Sequence, residues 1–425
     1  MPYSDSGGLP REVSSKMRHF DILNKIFTGD EFKNLETTNS IFANIKWNQI
    51  TKSTSIFDEI VVADSGPAIV RSKEFPYSQI SVANSCLLTL QTNKLYSKKI
   101  PNVKELAKYL ENNTENITWF TPLRNIVKNG LTFSETFREI LFNIFLNNSN
   151  LLTTLNWLIR FPNISSVDVK CSSCNALHSF TIKNEITCNC GKDIFVTDYL
   201  VLHDDLSEFN SRESIVNEIA RHIEVILIFG KIKEFLETEQ FDKLENTLFL
   251  IDGALNFKAP YNKLLPKIRK LLEYAKNNEI IIHLASQEKT GQFVNYLELI
   301  ESLTIPDNSY FIPNDSFIRT EIQQVADTPY AAPYGKHGHY GRKVLYKLDS
   351  KNFYVINIAI SKITPKPTPK DLIGFDRIIS SIEYLQGVRY ASSLLPISLA
   401  HDRASIARYP SVNILNRAAQ SIFEK

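Results

Sequence analysis

The stretch LFLIDGA at residues 248–254 decides the fold prediction, and IVVADSG at residues 60–66 repeats its pattern. In each stretch four apolar residues lead directly into an aspartate, Asp252 or Asp64, and small residues follow it. Short apolar runs bounded by turn signals are typical of buried strands. The sequence therefore predicts two buried strands that end at aspartates, with room after each aspartate for backbone or substrate to come close.

Strand and helix patterns alternate on both sides of these two runs. Residues 132–146 carry apolar side chains at helical spacing, and Thr132 with Glu135 predicts a capping box at the start of this helix. A long helix is expected over residues 210–236, and residues 344–358 predict a hairpin. Interleaved strands and helices predict an α/β fold with a mixed sheet. Further strands are predicted at residues 80–90, 280–284 and 310–312, and further helices at 151–161 and 261–276.

Composition places the chain among ordinary globular proteins, with 43% hydrophobic and 22% charged residues in a length of 425. The net charge of +2 comes from 48 basic and 46 acidic residues, so any DNA contact has to come from local patches. The longest apolar runs are too short to cross a bilayer, and the N-terminus lacks the apolar run of a signal peptide. We therefore expect a cytoplasmic protein with no membrane contact.

Four of the five cysteines form two short pairs, Cys171 with Cys174 and Cys188 with Cys190, separated by thirteen residues. Two such pairs on either side of a hairpin-length spacer suit tetrahedral thiolate coordination of zinc. A redox CxxC motif and an iron–sulfur site are the alternatives, and a closed set of four cysteines favours structural zinc. His178 is a possible replacement for one thiolate. The fifth cysteine, Cys86, is expected to be a small buried hydrophobe.

The two strand-end aspartates are the candidate catalytic residues. If Asp64 and Asp252 meet at neighbouring strand ends, they can share the paired divalent cations with which nucleases activate water. The alternative is that each aspartate only begins a turn. A third ligand is expected from the helix at 210–236, and Glu218 is the choice because it lies beside the apolar face, although a solvated boundary residue fits as well.

His401 lies in the apolar segment LLPISLAH at residues 394–401, which reads as the start of a helix. A buried, hydrogen-bonded histidine is the ordinary explanation for such a position. Near clustered carboxylates, the same side chain can instead orient a phosphate, bind a metal or move a proton.

Taken in order, these segments resemble the NurA family of DNA-repair nucleases, in the form found in bacteria. The first aspartate motif has Asp64-Ser65-Gly66 where the family usually has Asp-Gly-Ser, and the family histidine falls at His401. A family tyrosine eight residues earlier is Ser393 here, so Tyr390 is the nearest candidate. The motifs that carry the resemblance are VVADSG (61–66), FPYSQISVANSCLL (75–88), LFLIDGAL (248–255), ASQEKTGQFV (285–294), YGRKVLYKL (340–348) and SLLPISLAHDRASI (393–406).

The resemblance implies an RNase H-like core and DNA cleavage that depends on manganese or magnesium. It also implies a ring-like homodimer that docks on a hexameric HerA-type ATPase, in DNA end processing or in defence against phage. Asp64, Glu218 and Asp252 would hold the metal, Lys289 would neutralise phosphate charge, and His401 and Tyr390 would assist. The rival hypotheses are a clamp that couples DNA to the ATPase without cleaving it, and a zinc-knuckle adaptor with no enzyme core.

Residues 330–347 interleave tyrosines with cations, a composition that suits a single DNA strand. Lys336, Tyr340, Arg342 and Lys343 are the expected DNA contacts, although an ordinary edge hairpin would show the same pattern.

With about two to three domains expected from length, the chain divides into five segments. These are a flexible tail (1–30), the first part of the core with a helical segment (31–162), the zinc-knuckle insertion (163–200), the nuclease core (201–362) and a C-terminal helical segment that completes the site (363–425).

Overall fold

A computed structural model describes residues 45–50, 56–73, 77–95, 103–204, 206, 213–301, 304–328, 330–387 and 393–406. The expected tail at 1–30 and the candidate Tyr390 lie outside these residues. The strands are β1 (Asn48–Gln49), β2 (Glu59–Arg71), β3 (Gln79–Gln91), β4 (Thr114–Arg124), β5 (Val167–Lys170), β6 (Leu177–Phe180), β7 (Glu185–Thr187), β8 (Asp193–Phe195), β9 (Thr247–Asp252), β10 (His283–Glu288), β11 (Ser309–Phe311), β12 (Gly341–Lys347) and β13 (Phe353–Ala359). The helices are α1 (Thr92–Leu95), α2 (Val103–Asn112), α3 (Phe133–Leu146), α4 (Ser149–Arg160), α5 (Glu213–Glu237), α6 (Phe241–Glu245), α7 (Leu265–Asn277), α8 (Gln292–Ile300), α9 (Asp315–Phe317), α10 (Phe375–Ser381) and α11 (Leu395–Ala404).

Nine of the strands form one mixed sheet in the order β1-β11-β12-β13-β10-β9-β2-β3-β4. The central strands β2, β9 and β10 run parallel, and every other neighbouring pair is antiparallel. The predicted mixed α/β architecture is confirmed. The pairing of β2 with β9 stops at Ala63 and Ile251, one residue before the two aspartates. The sheet therefore opens at the point where Asp64 and Asp252 lie.

Alternation along the central strands directs their side chains into two separate apolar layers. Val61 and Ala63 of β2 belong to a core with α3, α4, α5 and α7. Ile60 and Val62 point the other way, into a core with α10 and α11. Helices therefore cover both faces of the sheet, and side chains from either face can reach the opening between β2 and β9.

The predicted turn at Asp64 is wrong, because β2 continues to Arg71. Beyond Asp64 the strand bonds only to β3, with Asp64 opposite Cys86 and Pro67 opposite Ala83. A proline is tolerated there because a strand paired on one side leaves the other edge free of ladder bonds. The turn-like residues therefore mark a change of pairing and not the end of a strand.

Local signals located several other elements well. The Thr132 hydroxyl accepts a hydrogen bond from the Glu135 amide while the Glu135 carboxylate accepts one from the Thr132 amide, so the capping box is confirmed. The hairpin of β12 and β13 is also confirmed. The strand expected at 280–284 runs instead from His283 to Glu288. Within the described residues no helix has the length and apolarity that a membrane crossing requires.

Candidate metal centre at the sheet opening

The opening between β2 and β9 gathers two carboxylates and an imidazole. One donor atom from each of Asp64, Asp252 and His401 lies within 4.8 Å of the others. β2 and β9 carry the aspartates, and α11 carries the histidine across the face of the sheet. The His401 Nδ1 atom lies 3.0 Å from Asp64 Oδ2, and the Ser65 amide donates to Asp64 Oδ1 over 2.8 Å.

Burial and the close approach of two carboxylates shift the pKa values of the side chains at this opening. Burial raises the pKa of Asp64, the negative charge of Asp252 raises it further, and the hydrogen bond with His401 opposes both effects. That hydrogen bond also raises the pKa of His401, although burial opposes the rise. Two close carboxylates repel each other unless positive charge lies between them. Carboxylate oxygens with one imidazole form a donor set that fits manganese or magnesium.

Two cationic side chains border the carboxylates. Lys289, directly after β10, places its Nζ atom 3.0 Å from Asp252 Oδ2. Arg221 of α5 donates to the Asp252 backbone carbonyl over 2.7 Å. A Cβ at Gly253, whose φ is +85°, would lie 2.6 Å from the Arg221 guanidinium. Glycine at this position therefore lets Arg221 approach the end of β9.

Glu224 of α5 lies outside the group of three donor residues, but the charges of Asp64 and Asp252 contribute to its raised pKa. Glu218 lies 3.2 Å from Lys258 Nζ in an ion pair. Glu224 lies 3.4 Å from Arg221 in an ion pair on the same helix. Burial raises the pKa of Glu224 to about 8, with contributions from the charges of Asp64 and Asp252. The choice of Glu218 is therefore not supported by the geometry.

The sequence itself carries a signal for Glu224. Six residues along a helix correspond to about 9 Å, so the two glutamates reach different parts of the sheet. Glu224 interrupts the otherwise apolar run from Ile223 to Phe229, and it is 5% exposed. A carboxylate inside an apolar run is rarely left there without a charged partner or a function. That interruption points to Glu224 without any knowledge of the register.

Gly66 allows α11 to pack closely enough to place His401. A Cβ at Gly66 would lie 2.5 Å from the Ala404 carbonyl oxygen and 2.8 Å from the Ser405 Cα. Both atoms belong to backbone, so the end of α11 would have to move. The close approach of backbone that the small residues after Asp64 predicted is therefore present at Gly66.

We expect Gly66→Ala to destabilise the protein by about 1–3 kcal/mol, because the clash displaces the end of α11. The same displacement weakens the hydrogen bond between His401 and Asp64. Urea unfolding measures the first effect, and NMR titration measures the second as a fall in the pKa of His401. Unchanged stability together with an unchanged pKa would show that α11 does not depend on this contact.

The structure buries three of the four predicted DNA contacts, Tyr340, Arg342 and Lys343. These side chains are between 0% and 3% exposed. Arg342 lies 2.9 Å from Asp315, and Lys343 pairs with Glu288. Lys336 is exposed, so its contact with DNA stays a prediction.

The four cysteines at 171–190 converge between two small hairpins, β5 with β6 and β7 with β8. Cys171 and Cys190 are 3.7 Å apart at their sulfurs, and Cys174 and Cys188 are 3.5 Å apart. A tetrahedron of zinc–sulfur bonds separates the sulfurs by about 3.8 Å. His178 Nε2 lies 3.2 Å from the Cys188 sulfur. The thiolate set fits one tetrahedral ion, with His178 beside it.

No protein-family model matches this sequence, and no curated protein matches it either. Among solved structures, the chain is similar to a crystal structure of NurA, with 9% identity and a TM-score of 0.30 over 96% of each chain. It is also similar to a crystal structure of NurA with manganese, with 10% identity and a TM-score of 0.31, covering 95% of this chain and 96% of that one. At this level the likeness assigns neither a family nor an activity, so the chemistry has to be argued from the side chains of this protein.

Proposed function

We propose that this protein is a metal-dependent nuclease that hydrolyses phosphodiester bonds of DNA. The observation that carries the proposal is the convergence of Asp64, Asp252 and His401 within 4.8 Å where β2 and β9 separate. Glu224, buried on the adjacent helix and close enough for its charge to interact with both aspartates, supplies a further carboxylate. Acidic residues clustered in this way are the ligands with which nucleases hold divalent cations.

Asp64, Asp252 and Glu224 would hold one or two Mn²⁺ or Mg²⁺ ions, with Glu224 in the role that the sequence assigned to Glu218. Such ions supply an activated water and stabilise the leaving oxygen of the phosphodiester. Lys289 is placed to neutralise charge on the phosphate, as lysine does when it acts as a point charge. The Nδ1 atom of His401 is bonded to Asp64, so Nε2 remains to bind phosphate or to move a proton.

The proposal extends to the fold and the partners that the sequence motifs imply. β4, β3, β2, β9 and β10, with α5 beside them, would form an RNase H-like core, since three antiparallel strands are followed by two parallel ones. We further propose a cytoplasmic homodimer that binds DNA and works with a HerA-type hexameric ATPase in end processing or phage defence. Cys171, Cys174, Cys188 and Cys190 would bind structural zinc.

The nuclease proposal is tested on linear single- and double-stranded DNA with Mn²⁺ or Mg²⁺, with and without a HerA-type ATPase. We expect cleavage that EDTA abolishes. Tight DNA binding without cleavage in any of these conditions would contradict the proposal and favour the clamp. If deletion of residues 165–195 abolished DNA binding while the rest of the chain stayed folded, the adaptor hypothesis would gain support instead.

Glu224→Gln and Glu218→Gln form a matched pair on one helix. We expect Glu224→Gln to reduce cleavage by about 100-fold, because it removes a charged ligand from the metal. Glu218→Gln is expected to stay within about threefold of the unmodified protein, because it removes only a partner of the exposed Lys258. The cleavage rates of the two variants at saturating Mn²⁺ test this assignment. A larger loss of cleavage in Glu218→Gln than in Glu224→Gln would assign the ligand role to Glu218.

A further inference from the structure

The loop at residues 335–339 has its backbone carbonyl groups turned into the protein. Arg269 of α7 donates hydrogen bonds to the carbonyl oxygens of residues 335, 336 and 339 over 2.9 to 3.0 Å. The side-chain amide of Asn262 donates to the carbonyl of residue 337, and the Phe257 backbone amide donates to that of residue 338. Gly335 adopts a φ of +77°, which favours glycine. With all five carbonyl oxygens bonded, the loop is held in one shape.

The side chains of Lys336 and His337 are the polar groups that this loop presents to solvent, because both are exposed. A free carbonyl oxygen carries partial negative charge and repels an anion, but each carbonyl oxygen of the loop already accepts a hydrogen bond from the protein. An ammonium group and an imidazole ring therefore remain on the outside. The loop is suited to an anionic partner.

The start of α7 adds positive charge next to the loop. Lys263 is exposed and directly follows Asn262, which bonds to the loop, and Lys267 lies in the first turn of the helix. The N-terminal end of a helix carries partial positive charge, so cations there are unfavourable for the helix itself. The first turn of α7 contains no acidic residue that would offset them. These two lysines therefore do not serve the stability of α7.

Acidic residues are absent from both stretches of sequence that build this region. Residues 253–272 contain five lysines or arginines and no aspartate or glutamate, and residues 328–348 contain four and none. Lys258 pairs with Glu218, but in the described part of the chain the exposed lysines of the loop and of the helix start form no ion pair. In a chain with 48 basic and 46 acidic residues, this is a local excess of positive charge. The basic surface defined by this excess consists of Lys263, Lys267, Lys336 and His337.

We propose that the basic surface binds the phosphate backbone of DNA and that Arg269 is the positioning residue that shapes its loop. The choice of DNA as the ligand rests on the proposed function. Phe257, which is bonded to the loop, lies five residues after Asp252, so the Cα atoms of these two residues are at most about 18 Å apart. DNA bound here lies beside the metal centre, which favours DNA over an acidic protein as the partner. Lysines bind phosphates as point charges and do not read the bases there.

Lys336→Gln tests the proposal, with Lys351→Gln as the matched control. Both lysines are exposed, but Lys351 lies in the turn between β12 and β13, at the far end of β12 from the loop. Binding of the full chain to a short fluorescein-labelled DNA duplex is measured by anisotropy in EDTA, which prevents cleavage, between about 50 and 200 mM KCl. We expect Lys336→Gln to weaken binding and to reduce the slope of log affinity against log salt by about 0.9, the contribution of one phosphate contact. Lys351→Gln should reproduce the affinity and the slope of the unmodified protein.

Arg269→Lys tests the positioning role, because it keeps the positive charge but cannot bond to three carbonyl groups at once. We expect this variant to bind the same duplex several-fold more weakly with an unchanged salt slope, since no charge is lost. Thermal unfolding shows whether the chain stays folded. Affinity equal to that of the unmodified protein would exclude the positioning role.

The outcomes separate the basic surface from the nuclease proposal. If the unmodified protein cleaves DNA and Lys336→Gln binds DNA as well as it does, the basic surface is excluded while the proposed function stands. If Lys336→Gln loses affinity and salt slope in a protein that never cleaves DNA, the basic surface stands and the nuclease proposal fails. Unchanged DNA binding together with a loss of binding to a HerA-type ATPase would assign the surface to a protein partner and contradict the inference.

Discussion

Replacement of Asp252 by asparagine is expected to reduce metal-dependent DNA cleavage on the order of a thousandfold, with little change in stability. The Asp252 side chain is about a quarter exposed at the end of β9, so asparagine fits there without disturbing the core. The substitution removes a negative charge that, together with Asp64, attracts the cation to the opening. Asp64→Asn is expected to have a similar effect on cleavage, and it also changes the hydrogen bond with His401.

Asp242→Asn is the matched control for this prediction, because Asp242 is exposed and lies in α6, which precedes the opposite end of β9 from Asp252. It should cleave DNA at the rate of the unmodified protein. The double variant Asp64→Asn with Asp252→Asn should cleave DNA at no less than about one tenth of the rate of the slower single variant. Residues that act as one unit do not have additive effects. An Asp252→Asn variant that retained full activity would remove Asp252 from the catalytic site.

Replacement of Cys188 by serine is expected to reduce bound zinc well below one equivalent per chain and to destabilise the protein on the order of 5 kcal/mol. Cys171 and Cys188 are buried in the same apolar core as α3 and α4, so loss of the ion disturbs more than a surface loop. The segment is also tied to α3, because Arg138 pairs with Asp198 and Lys192 pairs with Glu135.

Elemental analysis of zinc content and thermal unfolding of the purified protein test this prediction. Cys86→Ala is the control, since Cys86 is buried at β3 away from the other four cysteines and its thiol bonds to the Ala400 carbonyl. Cys86→Ala should keep one equivalent of zinc. Unchanged zinc content and unchanged stability in Cys188→Ser would exclude a structural zinc site at these cysteines.

Local sequence signals predicted those elements that are stabilised by residues close to one another in the sequence. The capping box at Thr132 and the hairpin around Asp349 depend on residues that are close in sequence, and both are present. β4 was not predicted, because its pairing partner β3 and its packing against α3 lie in other parts of the chain. The length of β2 was missed because a strand can continue through turn-like residues when one neighbour pairs with it throughout.

In the candidate site, too, some residues are recognisable from local sequence motifs, whereas one depends on how distant elements pack together. Asp64, Asp252, Lys289 and His401 were chosen from separate motifs, and the structure places them together. Spacing along the chain does not decide between the glutamates of α5, because that depends on how the helix is rotated and shifted against the sheet. The one local signal is the break that Glu224 makes in the apolar run from Ile223 to Phe229. The cations of β12 resembled a DNA surface because the sequence does not show that Arg342 pairs with Asp315 and Lys343 with Glu288, both from other parts of the chain.

The central claim is that the opening between β2 and β9 binds divalent metal, and manganese anomalous diffraction from crystals soaked in MnCl₂ tests it most directly. We predict at least one strong anomalous peak at about 2–2.5 Å from carboxylate oxygens of both Asp64 and Asp252, with Glu224 as the next carboxylate. Crystals of Asp252→Asn should lose most of that peak. An anomalous map with no peak at this opening, or with its only peaks beside Glu218 or surface acids, would contradict the account.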